Sequence, residues 1–475
     1  MKKMKILLLS VNSETLFYDQ VVIPFGLISL ASYVDNDNYE IKGIEMNSPP
    51  EKTLKRYLQI DNELLKEITS FLPDIVAMST YASNMYNVLY WTKVIKGKLP
   101  NCFIIIGGNH ASYIAKECIR KCPELDVVVR FEGEIPFQMI CEEIEKKFYD
   151  FSKIPNITYR ENGEIKENPQ TALIKDLNSL PLLKRIYFDD KTKKKENVYH
   201  VDVVSARGCP FNCTFCNCNH YWDKIYRVRL IDSVITELKD LQEKYPNLKS
   251  VRFRDESITI NKIRCKKLIE AIKLSGINLE FQAHSRLEGL DEEVIQLLSK
   301  AGFKLLFIGM ESGSQNVLKR LHKGIDITRA VEIISLLRKY GIKFRISFMS
   351  QTPNETFRDI LKTIKLIKRL KLKINEYYIG TGVAIYPGTY ECEKFLFCNP
   401  DYEWITKDYN FKGKYQGARD QVGNILHPEY QEHSLPSIIF QKIYLYLILK
   451  NQSGLYQYFK ILIKRFFRKL KNLIK

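Results

Sequence analysis

SARGCPFNCTFCNCNH (205–220) gathers four of the chain's eleven cysteines into ten positions, directly after the apolar run HVDVVSA (200–206). A structural zinc normally wants four ligands, often as two pairs separated by a longer loop. No second pair follows, because the next cysteine, Cys265, falls inside a helical pattern. A zinc site completed by Cys218 or His220 stays open as an alternative. Cys209, Cys213 and Cys216 form CxxxCxxC, and three thiolates in one short loop suit a [4Fe–4S] cube whose fourth iron has no protein ligand. That arrangement is the iron–sulfur counterpart of the open position that distinguishes catalytic from structural metal sites.

Outward from this loop the chain alternates strand and helix patterns. After HVDVVSA come SVRFR (250–254), LEFQAH (279–284), KLLFIG (304–309), IKFRISFM (342–349) and EYYIGTGVAIY (376–386), separated by amphipathic segments such as SVITELKDLQEKY. Six βα units in this length fall short of the eight of a closed barrel, so an open (βα)6 barrel is expected, with the cysteines on the face where barrel chemistry resides.

Upstream, KILLLS (5–10), YEIKGIEM (39–46), DIVAMST (74–80), CFIIIGG (102–108) and VVVRFEG (127–133) are near-continuously apolar, as strands covered on both faces are. Their spacing suits crossover helices and predicts a doubly wound parallel sheet. Ligands of such sheets lie at the carboxyl ends of the strands, here Ser10 to Asn12, Ser79 to Ser83, Gly107 to His110 and Glu132 to Glu134. The first turn, SVNSETL, lacks the glycines with which a backbone approaches a pyrophosphate, which argues against a dinucleotide. The paired glycines of IIIGGNHAS leave room for a bulky ligand over the fourth strand.

The chain is therefore read as α/β throughout: a doubly wound unit over 1–150, a partly structured linker over 151–197, the partial barrel over 198–395, and a helical C-terminal extension over 396–475. Cys102, Cys118, Cys122, Cys141, Cys265, Cys392 and Cys398 read as small hydrophobes on apolar faces or in loops.

CPFNCTFC resembles the cluster loop of the radical S-adenosylmethionine (SAM) superfamily, with Phe215 at the aromatic position before the last cysteine. FRDESIT (253–259), the stretch 286–324, SQTPNET (350–356) and YPGT (386–389) resemble that family's later segments in order. Ser350 and Asn354 stand where two glycines are usual. The resemblance implies that the open iron chelates SAM and that an electron from the cluster cleaves it to methionine and a 5′-deoxyadenosyl radical. It also implies that Asp255 and Glu256 are placed for the methionine ammonium, Glu311 and Ser312 for ribose hydroxyls or that ammonium, and Arg286 and Arg345 for the carboxylate.

The upstream unit is similar to that of the cobalamin-binding subclass, through IPFGLISLASYV (23–34), DIVAMST, IIIGGNHAS and VVRFEGE (128–134). This implies cobalamin near Ser79, Gly107, Gly108, His110, Glu132 and Gly133. The DxHxxG signature is missing, which implies a cobalt held without a protein imidazole. The implied function is a cobalamin-dependent methylation of an unactivated carbon, or a related radical cyclisation or rearrangement, on a natural-product or lipid precursor, served by an electron donor such as flavodoxin or ferredoxin. Two alternatives are a tRNA methylthiotransferase, which predicts a second cluster from Cys102, Cys118 and Cys122, and a zinc-dependent nucleic-acid-binding module.

The formal charge is +18, and nine of the eighteen excess charges follow Glu432, after which no acidic residue occurs. SGLYQYFKILIKRFFRKLKNLIK (453–475) spaces its apolar residues by three and four between basic ones, the pattern of a helix that lies on an anionic lipid surface. Docking of the same helix on the barrel, or RNA binding, fits the pattern too, although nucleic acid is disfavoured as a partner. No stretch reaches the roughly 20 apolar residues of a membrane span, and the apolar run at the start is shorter than the roughly 7–15 residues of a signal sequence. A cytoplasmic protein with reduced thiols is expected, peripheral at the inner face of the membrane if the tail binds lipid.

Overall fold

The computed structural model describes residues 3–11, 25–46, 54–147, 149–171, 173–188, 198–350, 352–381, 386–398 and 403–405. Asn12, Gln351, residues 382–385 and the basic stretch 453–475 lie outside the described residues.

The first sheet has seven strands in the order β2-β1-β3-β4-β5-β6-β7. Strands β1 (Met4–Ser10), β2 (Tyr39–Glu45), β3 (Ile75–Ser79), β4 (Phe103–Gly107) and β5 (Val127–Val129) are parallel. The apolar runs do what their composition requires, since successive residues Ile6, Leu7, Leu8 and Leu9 are buried alternately in the cores on the two sides of the sheet. The order reverses between β1 and β3, which opens a crevice at their carboxyl ends. Strand β5 is shorter than its apolar run, because Phe131 turns left-handed at φ 61° and leaves the sheet.

The structure departs from the sequence reading at 151–197. Strands β6 (Ile157–Glu161) and β7 (Glu164–Glu167) extend the first sheet as an antiparallel hairpin on β5, so part of the stretch read as linker is sheet. Its outer strand is short, charged and exposed, and so carries little apolar signal.

The second sheet is parallel in the order β15-β14-β13-β12-β11-β8, comprising β8 (His200–Val203), β11 (Ser250–Phe253), β12 (Glu280–Ser285), β13 (Phe303–Glu311), β14 (Lys343–Ser350) and β15 (Tyr377–Thr381). These are the six strands of the open barrel. Alternate residues, among them Val251, Phe253, Phe281, Leu306 and Ile346, pack with the surrounding helices in one core, leaving the intervening residues to line the lumen. Helices start where the sequence provides caps. Thr356 and Asp359 form a reciprocal capping box at Phe357–Arg369, and Asn261, Asp291 and Asp326 cap three others. No helix among the described residues is long and apolar enough to cross a membrane.

Candidate active site

The cysteine loop is bracketed by β9 (Ala206–Arg207) and β10 (Arg227–Val228), a two-residue antiparallel ladder at the carboxyl end of β8. Gly208 makes the turn into the loop at φ 100°, and a Cβ there would lie 1.8 Å from the Ile225 carbonyl oxygen. Only glycine fits. Asp255 fixes the base by accepting from the Ser205 amide at 2.7 Å and the Ser205 hydroxyl at 2.6 Å, and Glu256 accepts from the Gly208 amide at 3.1 Å. Burial is the largest influence on both carboxyls and raises their pKa values.

Cys209, Cys213 and Cys216 are free thiols, as are Cys102, Cys118, Cys122, Cys141, Cys218, Cys265 and Cys392. A hydrogen bond between Cys216 and Cys218 is the main cause that brings the Cys216 thiol down to about 7 and raises that of Cys218. Arg286 lies over the loop: its Nη1 donates to Cys213 Sγ at 3.5 Å, its guanidinium carbon stacks 3.7 Å from the Phe211 ring centroid, and Nη2 pairs with Glu288 at 2.6 Å. Among the described residues no three His, Cys, Asp or Glu side chains are grouped as one metal ion requires. A cube makes no such demand, because each thiolate binds a different iron. Three free thiols in one loop, Cys209, Cys213 and Cys216, are a donor set that a three-thiolate cluster can take.

Glu311 ends β13 with a left-handed φ of 64°, and its Oε1 meets Lys323 Nζ at 2.9 Å in a buried pair. Lys323 also stands 5.8 Å from the centroid of the Phe215 ring, so Glu311 and the cluster loop share one wall. Ser312 faces away, its hydroxyl 3.2 Å from Thr363 Oγ1. Arg345 pairs in register with Phe307, three residues before the partner of Glu311 on β14, and so sits deeper in the lumen.

The carboxyl edge of the first sheet faces this loop. Asn109 and Asn217 exchange amide hydrogen bonds at 2.8 and 3.3 Å, and Tyr221 donates to the Phe131 carbonyl at 2.7 Å. Behind them Arg207 spans Glu132 and Glu134 at 2.8 and 2.7 Å, while Arg227 takes the second oxygen of Glu132 at 2.8 Å. For Glu134 burial is the largest single influence and acts upward, yet Arg207 and Ser29 together hold the carboxyl below its ordinary range.

The glycines read as room for a ligand are pressed against protein. At Gly108, with φ 98°, a Cβ would lie 2.8 Å from the Thr80 carbonyl oxygen, and at Gly107 it would lie 3.0 Å from Val129 O; at Gly133, expected only as a cofactor contact, it would lie 3.1 Å from Leu30. Ser79 ends β3 beside Gly108. His110 is buried with its ring edge-on to Trp404, its Nε2 has no hydrogen-bond partner, and burial lowers its pKa to about 4, so the imidazole is neutral. This orphaned nitrogen lies just past the carboxyl edge of β4, beside the crevice. Cys102, Cys118 and Cys122 are core residues, with thiols raised by burial, to about 12 for Cys102 and Cys122.

Sequence reasoning did not single out Arg207, Phe211 or Lys323. Each acts through partners distant in the chain, and only for Phe211, inside the cysteine loop, did the sequence hold a signal.

Residues 203–367 match the radical SAM superfamily and residues 18–140 the B12 binding domain. An uncharacterized methyltransferase of Pyrococcus horikoshii is 31% identical over 392 residues, covering 82% of each chain. Cytidylyl-2-hydroxyethylphosphonate methyltransferase of Streptomyces wedmorensis is 26% identical over 74% of this chain and 73% of its own. The radical SAM methyltransferase TsrM of Kitasatospora setae, solved with cobalamin and a [4Fe–4S] cluster, superposes with a TM-score of 0.66 at 14% identity over 84% of this chain and 75% of that one, which shows a shared fold. The cysteine loop on an open barrel, the doubly wound unit facing it and these likenesses agree: the chain belongs to the radical SAM superfamily, in the branch with a B12 binding domain ahead of the barrel.

Proposed function

We propose that this chain is a cobalamin-dependent radical SAM methyltransferase that methylates an unactivated carbon of a small molecule. The observation that carries the reading is the apposition of the two carboxyl edges, joined by the Asn109–Asn217 amide pair, with the cysteine loop on one side and the doubly wound crevice on the other.

Cys209, Cys213 and Cys216 would hold the cluster, with Arg286 donating to a ligand sulfur and Phe211 shielding it. Glu311, paired with Lys323, would accept hydrogen bonds from SAM, with Glu256 at the loop base. The ends of β3, β4 and β5 would hold cobalamin. Together these groups supply, when bound, an electron for sulfonium cleavage, a radical that abstracts hydrogen and a methyl carrier. The protein's part is placement and exclusion of water: Asp255 and Gly208 fix the loop, and the Arg207 cluster fixes the loop against the crevice.

Anaerobic reconstitution followed by metal and corrinoid analysis tests this. Iron near four per chain with bound corrinoid is expected, and incubation with SAM and a reductant should release 5′-deoxyadenosine. Colourless protein, or stoichiometric zinc in place of iron, overturns the proposal.

A further inference from the structure

The lumen of the barrel below the cluster loop carries a second organised set of side chains. Register across the sheet aligns His284 with Phe307 and Phe307 with Arg345, and Arg254 follows Phe253, the partner of Ala283, so it stands beside His284. One layer of the wall thus reads Arg254, His284, Phe307, Arg345. The layer beneath reads Asp202, Arg252, Gln282, Leu305, Lys343. All these positions alternate with core residues that pack on the helices, so they face inward.

Their electrostatics are one-sided. Asp202 is the carboxylate within both layers, and it is already engaged by Arg252 Nε at 2.9 Å, Arg254 Nε at 3.1 Å and His200 Nε2 at 3.5 Å. Burial acts upward on Asp202, but these donors together bring it to about 2, so it stays ionised. Arg345 makes no ion pair among the described residues and is exposed. His284 is held to about 4, chiefly by burial and then by Arg254 and Arg252, so it is neutral at pH 7. Its ring stacks on Phe307 with centroids 5.0 Å apart and planes at 26°. A flat, neutral shelf is therefore flanked by two guanidiniums, Arg254 and Arg345, and the one carboxylate, Asp202, lies beyond Arg254 on the edge strand β8. The strands carrying those guanidiniums are three inter-strand steps of about 4.8 Å apart around a curved wall, close enough for both side chains to address one small molecule.

Resting on the proposed function above, we propose that this layer binds the substrate, and that the substrate carries an oxyanion, phosphoryl or carboxylate, next to a flat unsaturated portion. Arg345, with Arg254, takes the anion, and the His284–Phe307 shelf takes the flat part. Two residues further along the strands, about 7 Å at about 3.3 Å per residue, lie Gly309 and Ser347, next to Glu311 at the cofactor level. The reacting carbon is thus separated from the anion by about that distance. Planar bidentate donors suit both oxyanions, so the geometry fixes the shared chemistry and the probe decides its source.

The test is calorimetric titration of the reconstituted full chain with phenyl phosphate, phenylacetate and benzyl alcohol. At least tenfold tighter binding of one anionic probe than of benzyl alcohol is expected, and the tighter anion identifies phosphoryl or carboxylate. Arg345→Gln and, separately, Arg254→Gln should each reduce that preference at least tenfold while circular dichroism stays unchanged. Equal affinity for the neutral probe, absence of binding by all three, or a preference untouched by both variants overturns the assignment. Iron and corrinoid are measured on the same samples. If both are present without an anion preference, the lumen assignment alone fails; if both are absent, the proposed function fails.

Discussion

Replacing Arg207 with methionine tests how the two units are held together. The guanidinium is the charge partner of Glu134, which would keep only the Ser29 hydroxyl at 2.7 Å, whereas Glu132 would keep Arg227 at 2.8 Å and the Ile174 amide at 2.8 Å. One buried carboxylate is then left without a cation. Removing one partner of a buried pair costs about 3–5 kcal/mol, and because Glu132 remains paired the lower end applies. About 3 kcal/mol corresponds to roughly 150-fold in the unfolding equilibrium. Urea unfolding followed by tryptophan fluorescence reads this well, since Trp222 stacks on Arg227 at 5.2 Å.

The pH dependence provides an independent check. The Glu134 carboxyl lies below its ordinary range in the folded protein, so its contribution is present above the unfolded value of about 4.3 and is lost as pH falls through the folded one. In Arg207→Met the carboxyl rises instead and takes up a proton on acidification, so the gap between variant and parent narrows below about pH 5. Adding Glu134→Gln should recover most of the loss. A loss under 1 kcal/mol at pH 7, or no recovery in the double variant, refutes the argument.

Further outcomes follow from the loop and the strand ends. Cys213→Ala should abolish 5′-deoxyadenosine release and lower bound iron, and retained cleavage of SAM would remove Cys213 from the ligand set. Gly208→Ala forces a Cβ into the Ile225 carbonyl and should prevent cluster incorporation, while Gly276→Ala, with φ 74° but open space around it, should cost about 1 kcal/mol of stability and leave iron content unchanged. Glu311→Gln leaves the Lys323 ammonium without its charge partner and should weaken SAM binding at least tenfold by equilibrium dialysis; unchanged affinity would show that Glu311 does not contact SAM.

The parallel strands of both sheets were legible because continuous or alternating apolar runs report burial directly, and the spacing of Cys209, Cys213 and Cys216 reports the loop. The β6–β7 hairpin was not, since Glu161, Glu164 and Glu167 on a solvated edge look like a linker. Side-chain commitments were also hidden. Asp255 and Ser312 occupy the strand ends expected for cofactor contacts, yet their polar atoms are taken by Ser205 and by Thr363 and Ser314, and no local pattern announces such partners. Arg345 was legible as an inward cation, but its depth in the lumen depends on register with Phe307, which only the assembled sheet fixes.

The reciprocal amides of Asn109 and Asn217 tie a turn of one unit to the cysteine loop of the other. Anything that stiffens that loop reduces the ordering cost for a guest lying across the seam, and thermodynamic reciprocity makes the benefit mutual. Occupancy of either half should thus raise retention in its neighbour by an equal factor, so that the two prosthetic groups load cooperatively although no bond joins them.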